Sequence, residues 1–341
     1  MQRTTVMLLF GGESSEHTVS VSSARNVFAA LDDAKYDVVL GYIDQEGKWW
    51  LLNNLSDQID IVGALQLLPI LGTGKFKVFP SDEIITPAVI LPILHGANGE
   101  DGTVQGLAQL LHIPIVGCKV AASAIAMDKI FTKQLLEHNN IKTVPYRVNL
   151  SDEALPNFDQ LSTQLGSPLF VKPANGGSSV GISKVKNEEE LNTALIEAHR
   201  HDSKVLIEQA ITARELEVGV LGSGTKARVS GVGEICPDRE FYNFESKYDV
   251  NSQTKAIIPA DIPAEMSKEI RKIAAHVYAV LGCEGLARID FFLSDHDDLY
   301  LNEINTLPGF TNISMYPKLW RQEGLAYSEL VDSLINDTLE K

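Results

Sequence analysis

The segment that most restricts the fold is Ala88-Val89-Ile90-Leu91-Pro92-Ile93-Leu94, a nearly unbroken apolar run that stops at His95-Gly96. A run of this length with no polar alternation reads as a strand buried on both faces, and such strands belong to parallel sheets covered by helices. The surrounding sequence has the matching rhythm. Thr5 to Phe10 reads as a first strand broken by Gly11-Gly12, and a helix follows with Val21, Ala24, Phe28 and Leu31 on one face. Asp37 to Ile43 is the next strand, Glu46-Gly47 a turn before Lys48-Trp49-Trp50, Thr103 to Leu111 a helix and Ile113 to Val116 a further strand. The pattern predicts a parallel α/β domain over residues 1–126, with its site at the carboxyl ends of the strands. The stretch from Asn53 to Pro80 carries no usable motif.

A chain of 341 residues has room for two or three such units. A second is predicted over 127–212: a helix over Met127 to Glu137, then strand Leu169–Lys172, a glycine-rich loop, strand Gly181–Val185, a helix opened by Asn187 with Glu190 three residues on, and strand Val205–Gln209. That order suits a small α+β domain, and Leu191 and Leu195 are expected to face inward. A third unit, 213–341, has strands Glu215–Leu221 and Ala227–Ile235, a polar irregular stretch over 237–258, a helix opened by Pro263 that stops at Gly282, and strands Leu286–Leu293 and Leu299–Ile304 joined by the turn Ser294–Asp298. A structureless stretch as long as 237–258 inside a compact domain is usually functional or disordered.

Composition removes several function classes. The net charge of −16 argues against nucleic-acid binding, which needs a lysine and arginine footprint. No apolar run has the roughly 20 residues of a membrane span, and the apolar N-terminus is too short for a signal peptide. The three cysteines, Cys118, Cys236 and Cys283, are widely spaced, which argues against a zinc site or redox dithiol and fits a cytoplasmic protein. Two decoys fail on context. Gly74-Lys75 lacks the upstream glycine of a phosphate loop (Pro69 stands there) and is followed by Phe76. Gly222 to Ala227 resembles a dinucleotide fingerprint but lies between two strands, so it reads as a hairpin turn. Among the eight histidines, His17, His112, His199 and His201 read as surface or structural residues rather than metal ligands.

The chemistry concentrates in the last pair of strands. In Ala287-Arg288-Ile289-Asp290-Phe291-Phe292, Arg288 and Asp290 share a face by alternation; so do Glu303 and Asn305 in Leu299-Tyr300-Leu301-Asn302-Glu303-Ile304-Asn305. A short turn makes these strands antiparallel neighbours, so Asp290, Glu303 and Asn305 can converge as hard oxygen donors of the kind magnesium takes, with nucleotide phosphates completing the shell. An exposed hairpin with alternating polar residues fits the same letters. The turn Thr306-Leu307-Pro308-Gly309-Phe310-Thr311 brings the Gly309 N–H beside Arg288, a pair suited to stabilising a tetrahedral oxyanion. Upstream, Lys172-Pro173-Ala174-Asn175-Gly176-Gly177-Ser178-Ser179-Val180-Gly181 is a loop whose N–H groups can cradle phosphate, with Lys172 as a point charge. By itself it could equally be a mobile hairpin with a solvated lysine. Lys129, in Met127-Asp128-Lys129, is a second lysine candidate that by itself fits an ordinary helix surface. Glu208 to Glu215 lies at the junction of the second and third units, where an adenine pocket between sheets would sit.

The stretches Gly11 to Ser20 (GGESSEHTVS) and His95 to Gly102 (HGANGEDG) each end a strand and open a helix. Together with the MDK helix start, the VKPANGGSSVG loop, the ESKY segment, ARIDFF and NEINTLPGFT, they make the chain resemble the D-alanine–D-alanine ligases of the ATP-grasp superfamily, motif by motif and in family order. The resemblance implies a three-domain ATP-grasp fold and the ATP-dependent joining of two D-alanines through an acylphosphate, for peptidoglycan precursor synthesis. It implies that Glu16 holds the amino group of the first D-alanine, and that Lys129, Lys172 and Lys247 approach the ATP phosphates. Glu208, Ala210, Ile211 and Glu215 would hold adenine and ribose, and Asp290, Glu303 and Asn305 two magnesium or manganese ions. Arg288 and the Gly309 N–H would stabilise the tetrahedral intermediate, and Ser314 with the Met315 backbone would hold the carboxylate of the second D-alanine. Glu16, Ser178 and Tyr248 would form a closing hydrogen-bonded link, with 237–258 as the lid. A homodimer is the expected assembly. Related readings are a D-alanine–D-lactate ligase, against which Tyr248 speaks, or another ATP-grasp carboxylate–amine ligase.

Overall fold

A computed structural model describes residues 3–56, 59–177, 180–236 and 254–340. In chain order the elements begin with β1 (Thr4–Gly11), α1 (His17–Ala30), β2 (Tyr36–Ile43), β3 (Trp49–Leu52), β4 (Leu65–Ile70), β5 (Lys75–Phe79), β6 (Ile84–Ile85) and β7 (Val89–Ile93). They continue with α2 (Thr103–Leu111), α3 (Val120–Met127), α4 (Lys129–His138), β8 (Tyr146–Leu150), α5 (Phe158–Leu165), β9 (Leu169–Pro173), β10 (Ser183–Val185), α6 (Glu188–Ala198) and β11 (Lys204–Gln209). The last are β12 (Ala213–Leu221), β13 (Arg228–Cys236), β14 (Lys255–Ile257), α7 (Ala264–Val280), β15 (Leu286–Ser294), β16 (Leu299–Asn305), α8 (Met315–Gln322) and α9 (Tyr327–Leu339).

The first sheet has the order β6-β5-β4-β3-β2-β1-β7. Only β2, β1 and β7 are parallel, and the remaining pairs are antiparallel. The expected parallel sheet is therefore a mixed one, extended by a meander built partly from the stretch that carried no motif. Alternation along β1 feeds two cores. Val6, Leu8 and Phe10 pack with α1 and α9, whereas Met7 and Leu9 pack with Val104, Ala108 and Leu111 of α2. Helix α9 thus returns the end of the chain to the first sheet. Three local expectations are corrected. Phe28 does not face the core but is 37% exposed; Val27 takes the inward position beside Val21 and Ala24. Ile113 to Val116 forms no strand, only a single bridge from Ile115 to Ile90. The helix expected over Met127 to Glu137 is α4, which begins two residues later, because α3 ends at Met127 and Asp128 leaves helical geometry and caps α4 by accepting from Ile130 N and Phe131 N, each at 3.0 Å.

The second sheet, β10-β9-β11-β8, is antiparallel throughout, and β8 and α5 lie between the helix and the first strand read from sequence. Leu169, Val171, Val205 and Ile207 point into a core with Phe158, Leu161 and Leu165 of α5 and with Leu191 and Leu195 of α6. The opposite face carries Lys172, Leu206 and Glu208 towards α4. The third sheet, β14-β13-β12-β15-β16, is also antiparallel. Leu216, Val218, Ile289 and Phe291 bury one of its faces against Ile270, Ala274 and Val277 of α7, in a core that also takes in Cys118, Ala122 and Ile141. Gly222 to Ala227 is a hairpin connection with one 3-10 turn, as read. Within the expected lid stretch 237–258, residues 237–253 lie outside the described residues, and Lys255–Ile257 pairs as a strand with β13. Among the described residues no helix is long and apolar enough to cross a membrane.

Candidate active site

Alternation along β12, β15 and β16 turns Glu217, Arg288, Glu303 and Asn305 towards a cleft of about 220 Å3. Glu16, His95 and Glu100 line it from the turns that follow β1 and β7, Lys129, Gly176 and Gly177 from the α4 start and the glycine loop, and Glu217, Arg288, Glu303, Asn305, Gly309, Ser314 and Met315 from the third sheet and the segment after it. Lys172, Glu208, Ala210, Ile211 and Glu215 are not in its lining. Glu208 and Lys172 lie deeper, on β11 and β9; Ala210 and Ile211 form the β11–β12 connection, where Ala210 N donates to Pro168 O at 3.1 Å. Ser178, Lys247 and Tyr248 lie outside the described residues.

Register brings the third-sheet residues together. Glu217 is opposite Asp290, Asp290 opposite Glu303, and Arg288 opposite Asn305. The β15–β16 register shifts after Asp290, which leaves Asn302 as the extra residue of a bulge and keeps Glu303 and Asn305 on the cleft face. Arg288 Nε and Nη2 donate to the two oxygens of Asp290 at 2.8 and 2.7 Å, and Glu217 lies 3.0 Å from Arg288 Nε. Burial alone would lower the Arg288 pKa, but the Asp290 and Glu217 carboxylates hold the guanidinium well above its ordinary value. Asn305 Nδ2 donates to Asp290 at 3.0 Å and to Glu303 at 3.4 Å, so the three expected metal donors form one cluster. Among the described residues no three or more His, Cys, Asp or Glu side chains are grouped to hold an ion. The donor set is thus two carboxylates and an amide, all hard oxygens, which fits magnesium when phosphate and water supply the remaining ligands.

At the glycine loop, Lys129 Nζ donates to Gly176 O at 2.7 Å and Lys129 N to Ala174 O at 3.1 Å, tying the start of α4 to the loop. Asp202 anchors the loop base by accepting from Asn175 N (2.7 Å) and Nδ2 (2.9 Å). Behind the loop, Glu208 is buried between Lys133 at 2.6 Å and Lys172 at 2.5 Å. Burial alone would raise its carboxyl, but the Lys172 and Lys133 charges outweigh this and hold it at about 2. Lys133 was not singled out by sequence reasoning; its spacing of four from Lys129 was the available signal.

On the N-terminal wall the Glu16 carboxylate sits between two backbones. A Cβ on Gly96 would fall 2.9 Å from Glu16 Oε2, and one on Gly177 would fall 2.6 Å from the same atom. Gly96 also has φ +70, so only glycine fits there without strain. Ser14 Oγ donates to His95 O at 2.6 Å and accepts from Glu16 N at 3.2 Å, fixing the approach. Glu100 was likewise missed, although it stands in the quoted HGANGEDG motif. Burial, reinforced by the Glu16 charge, pushes its carboxyl up to about 8 against the N–H groups of Gly96 and Leu307. Across the cleft, Ser314 Oγ accepts from Thr311 N at 3.0 Å and lies 2.8 Å from where a Gly309 Cβ would stand, so Gly309 and Ser314 are immediate neighbours.

A buried arginine among carboxylates, hard oxygen donors in register and a lysine-bearing glycine loop around one cleft define a three-domain ATP-grasp architecture. Family models described as D-ala D-ala ligase N-terminus and D-ala D-ala ligase C-terminus match residues 5–118 and 135–336. D-alanine--D-alanine ligase A of Chromobacterium violaceum is 44% identical over 100% of this chain and 96% of its own length. The D-alanine--D-alanine ligase of Geobacillus kaustophilus is 43% identical over 99% and 95%. Among solved structures, the D-alanine-D-alanine ligase from Coxiella burnetii superposes with a TM-score of 0.90 at 33% identity, covering 100% of this chain and 95% of its own. The D-Ala:D-Ser ligase VanG from Enterococcus faecalis superposes with 0.87 at 33% identity, covering 99% and 100%. The chain belongs to the D-alanine–D-alanine ligase family.

Proposed function

We propose that this protein joins two D-alanines into D-alanyl-D-alanine with ATP, releasing ADP and phosphate, as a step of peptidoglycan precursor synthesis. The observation that carries the reading is the opposition, across one cleft, of buried Glu16 and the Arg288–Gly309–Ser314 wall. A carboxylate is a poor acyl donor, because its leaving group would be oxide. Phosphorylation of the first D-alanine makes phosphate the leaving group, and the amine of the second can then attack.

In this reading Glu16 holds the first ammonium group. Arg288 and the Gly309 N–H stabilise the oxyanion that develops at the attacked carbonyl. Ser314 and the Met315 backbone receive the second carboxylate. Lys129 and Lys172 face the triphosphate, and Glu208, Ala210, Ile211 and Glu215 surround the nucleoside. Asp290, Glu303 and Asn305 would hold two magnesium or manganese ions, which would supply charge neutralisation for phosphoryl transfer. Lys247 at the γ-phosphate and Ser178 with Tyr248 as the closing link rest on the family resemblance alone. Domain limits at 126/127 and 212/213, a homodimeric assembly and a cytoplasmic location complete the proposal.

The test is phosphate release by purified protein with ATP and magnesium, comparing D-alanine, L-alanine, and D-alanine with D-lactate, with products identified by mass. Release that needs D-alanine and yields the dipeptide is expected. A dominant depsipeptide overturns the amine nucleophile, and no D-alanine-dependent release overturns the reading. Glu303→Ala is expected to abolish turnover while circular dichroism stays unchanged; normal turnover would sink the metal assignment.

A further inference from the structure

Phe310, one residue after Gly309, is almost completely buried, and its ring packs against those of Tyr316 and Tyr327 at centroid distances of 5.7 and 6.0 Å. Both of its main-chain groups are held by helices that pack on the first sheet. Its N–H donates to Ser23 Oγ of α1 at 3.3 Å. Its carbonyl accepts from the Tyr327 hydroxyl, at the start of α9, at 2.8 Å and from Asn26 Nδ2 of α1 at 3.4 Å. Burial pushes the Tyr327 hydroxyl above its ordinary pKa, so it keeps its proton and remains a donor at neutral pH.

The peptide that carries this carbonyl is held at its other end too. Its N–H is that of Thr311, which donates to Ser314 Oγ at 3.0 Å, and Ser314 Oγ lies 2.7 Å from Thr311 Oγ1. A peptide is planar, so a bond to its oxygen also directs its N–H. Tyr327 thus reaches Ser314 through one rigid unit, although it does not line the cleft. With an N–H aimed at its oxygen, Ser314 can turn its own O–H to a carboxylate. The Ser23 bond holds the preceding peptide, which joins Gly309 to Phe310.

We propose that Tyr327 is a positioning residue for the second-substrate side of the cleft: by holding the Phe310 carbonyl it orients the Phe310–Thr311 peptide, and so sets Ser314 and, one residue upstream, Gly309. The catalytic consequence rests on the ligase reading; the clamp itself does not. Tyr327→Phe removes the hydroxyl and keeps the ring against Phe310. Tyr36→Phe is the control, because Tyr36 OH donates to Asp332 on the same helix and its loss loosens α9 without touching the turn.

Two measurements test this on the full-length protein. The first is amide hydrogen exchange of the segment from Gly309 to Ser314, which is independent of turnover. Exchange should quicken about fivefold in Tyr327→Phe, as for the loss of one net hydrogen bond, and stay unchanged in Tyr36→Phe. Unchanged protection in Tyr327→Phe overturns the clamp, whatever reaction the wild type runs. Asn26→Ala removes the longer bond to the same carbonyl and keeps the test decisive if Tyr327→Phe folds poorly: exchange should quicken about twofold, and no change overturns the clamp. The second is kinetic. For D-alanine-dependent phosphate release at saturating ATP, kcat/KM for D-alanine should fall about fivefold in Tyr327→Phe, with KM for ATP within about twofold of wild type. Quickened exchange with unchanged kcat/KM reduces Tyr327 to a structural brace and overturns positioning. An equal fall in Tyr36→Phe assigns the effect to general loosening of α9 and overturns it as well. Absence of D-alanine-dependent release in the wild type refutes the ligase reading, and with it the catalytic consequence, while the exchange result still decides the clamp.

Discussion

Replacing Glu208 by glutamine should expose how much the buried Lys133–Glu208–Lys172 triad contributes to stability. The carboxyl is held at about 2 against an ordinary value of 4.5, and the group is almost fully buried, so solvent screening takes little away. That depression corresponds to roughly 3 kcal/mol at pH 7. This agrees with the roughly 3–5 kcal/mol lost when one partner of a buried pair is removed. Burial pushes Lys133 down in spite of Glu208, so the net value of the triad is below that of the carboxylate considered alone. Because the folded-state value is depressed, the contribution is complete above the unfolded value and disappears as pH falls through the folded one. From the same shift, the gap between wild type and Glu208→Gln should be roughly 3 kcal/mol at pH 7, somewhat smaller at pH 4 and roughly 1 kcal/mol at pH 3. Urea titrations at these three pH values read it directly. A gap below about 1 kcal/mol at pH 7, or one that does not shrink on acidification, would refute the reasoning.

Gly177→Ala places a methyl carbon 2.6 Å from Glu16 Oε2, so either the loop or the carboxylate must move. KM for D-alanine should rise at least about tenfold by the scale of lost charge-assisted contacts, with the urea midpoint unchanged; an unaltered KM would detach the loop from the Glu16 site. Asn187→Ala removes the cap of α6, in which Asn187 Oδ1 accepts from Glu190 N at 2.9 Å. The expected loss is about 1 kcal/mol in urea titration, with turnover unaffected.

Much of this structure is readable from the letters, and the unread parts share a cause. β7 and α2 lie where the apolar run and the helical period put them, and α7 begins after Pro263 and ends before Gly282, whose φ is +66. The β15–β16 hairpin was legible because its polar residues alternate and its turn is short. β4 and β5 were not, because Pro69 interrupts one and the other alternates exposed and buried over five residues. The pairing of β4 with β3, and of β5 with β4, is set by tertiary neighbours, which one strand's sequence does not encode. Asp128 is the reverse case: an acidic residue inside a helical period marks a cap as readily as a surface position, and the decision falls to its contacts. At the site, residue types were legible but partners were not. Glu217 belongs beside Arg288 only through the β12–β15 register.

Those partners change how the cleft should be expected to bind anions. Among the described residues, each cation assigned here to phosphate or oxyanion already has a protein acceptor: Lys129 the Gly176 carbonyl, Lys172 the Glu208 carboxylate, Arg288 the carboxylates of Asp290 and Glu217. On the proposed assignment, a triphosphate would exchange partners with these groups instead of meeting bare charge, and its affinity would be the difference between two sets of contacts.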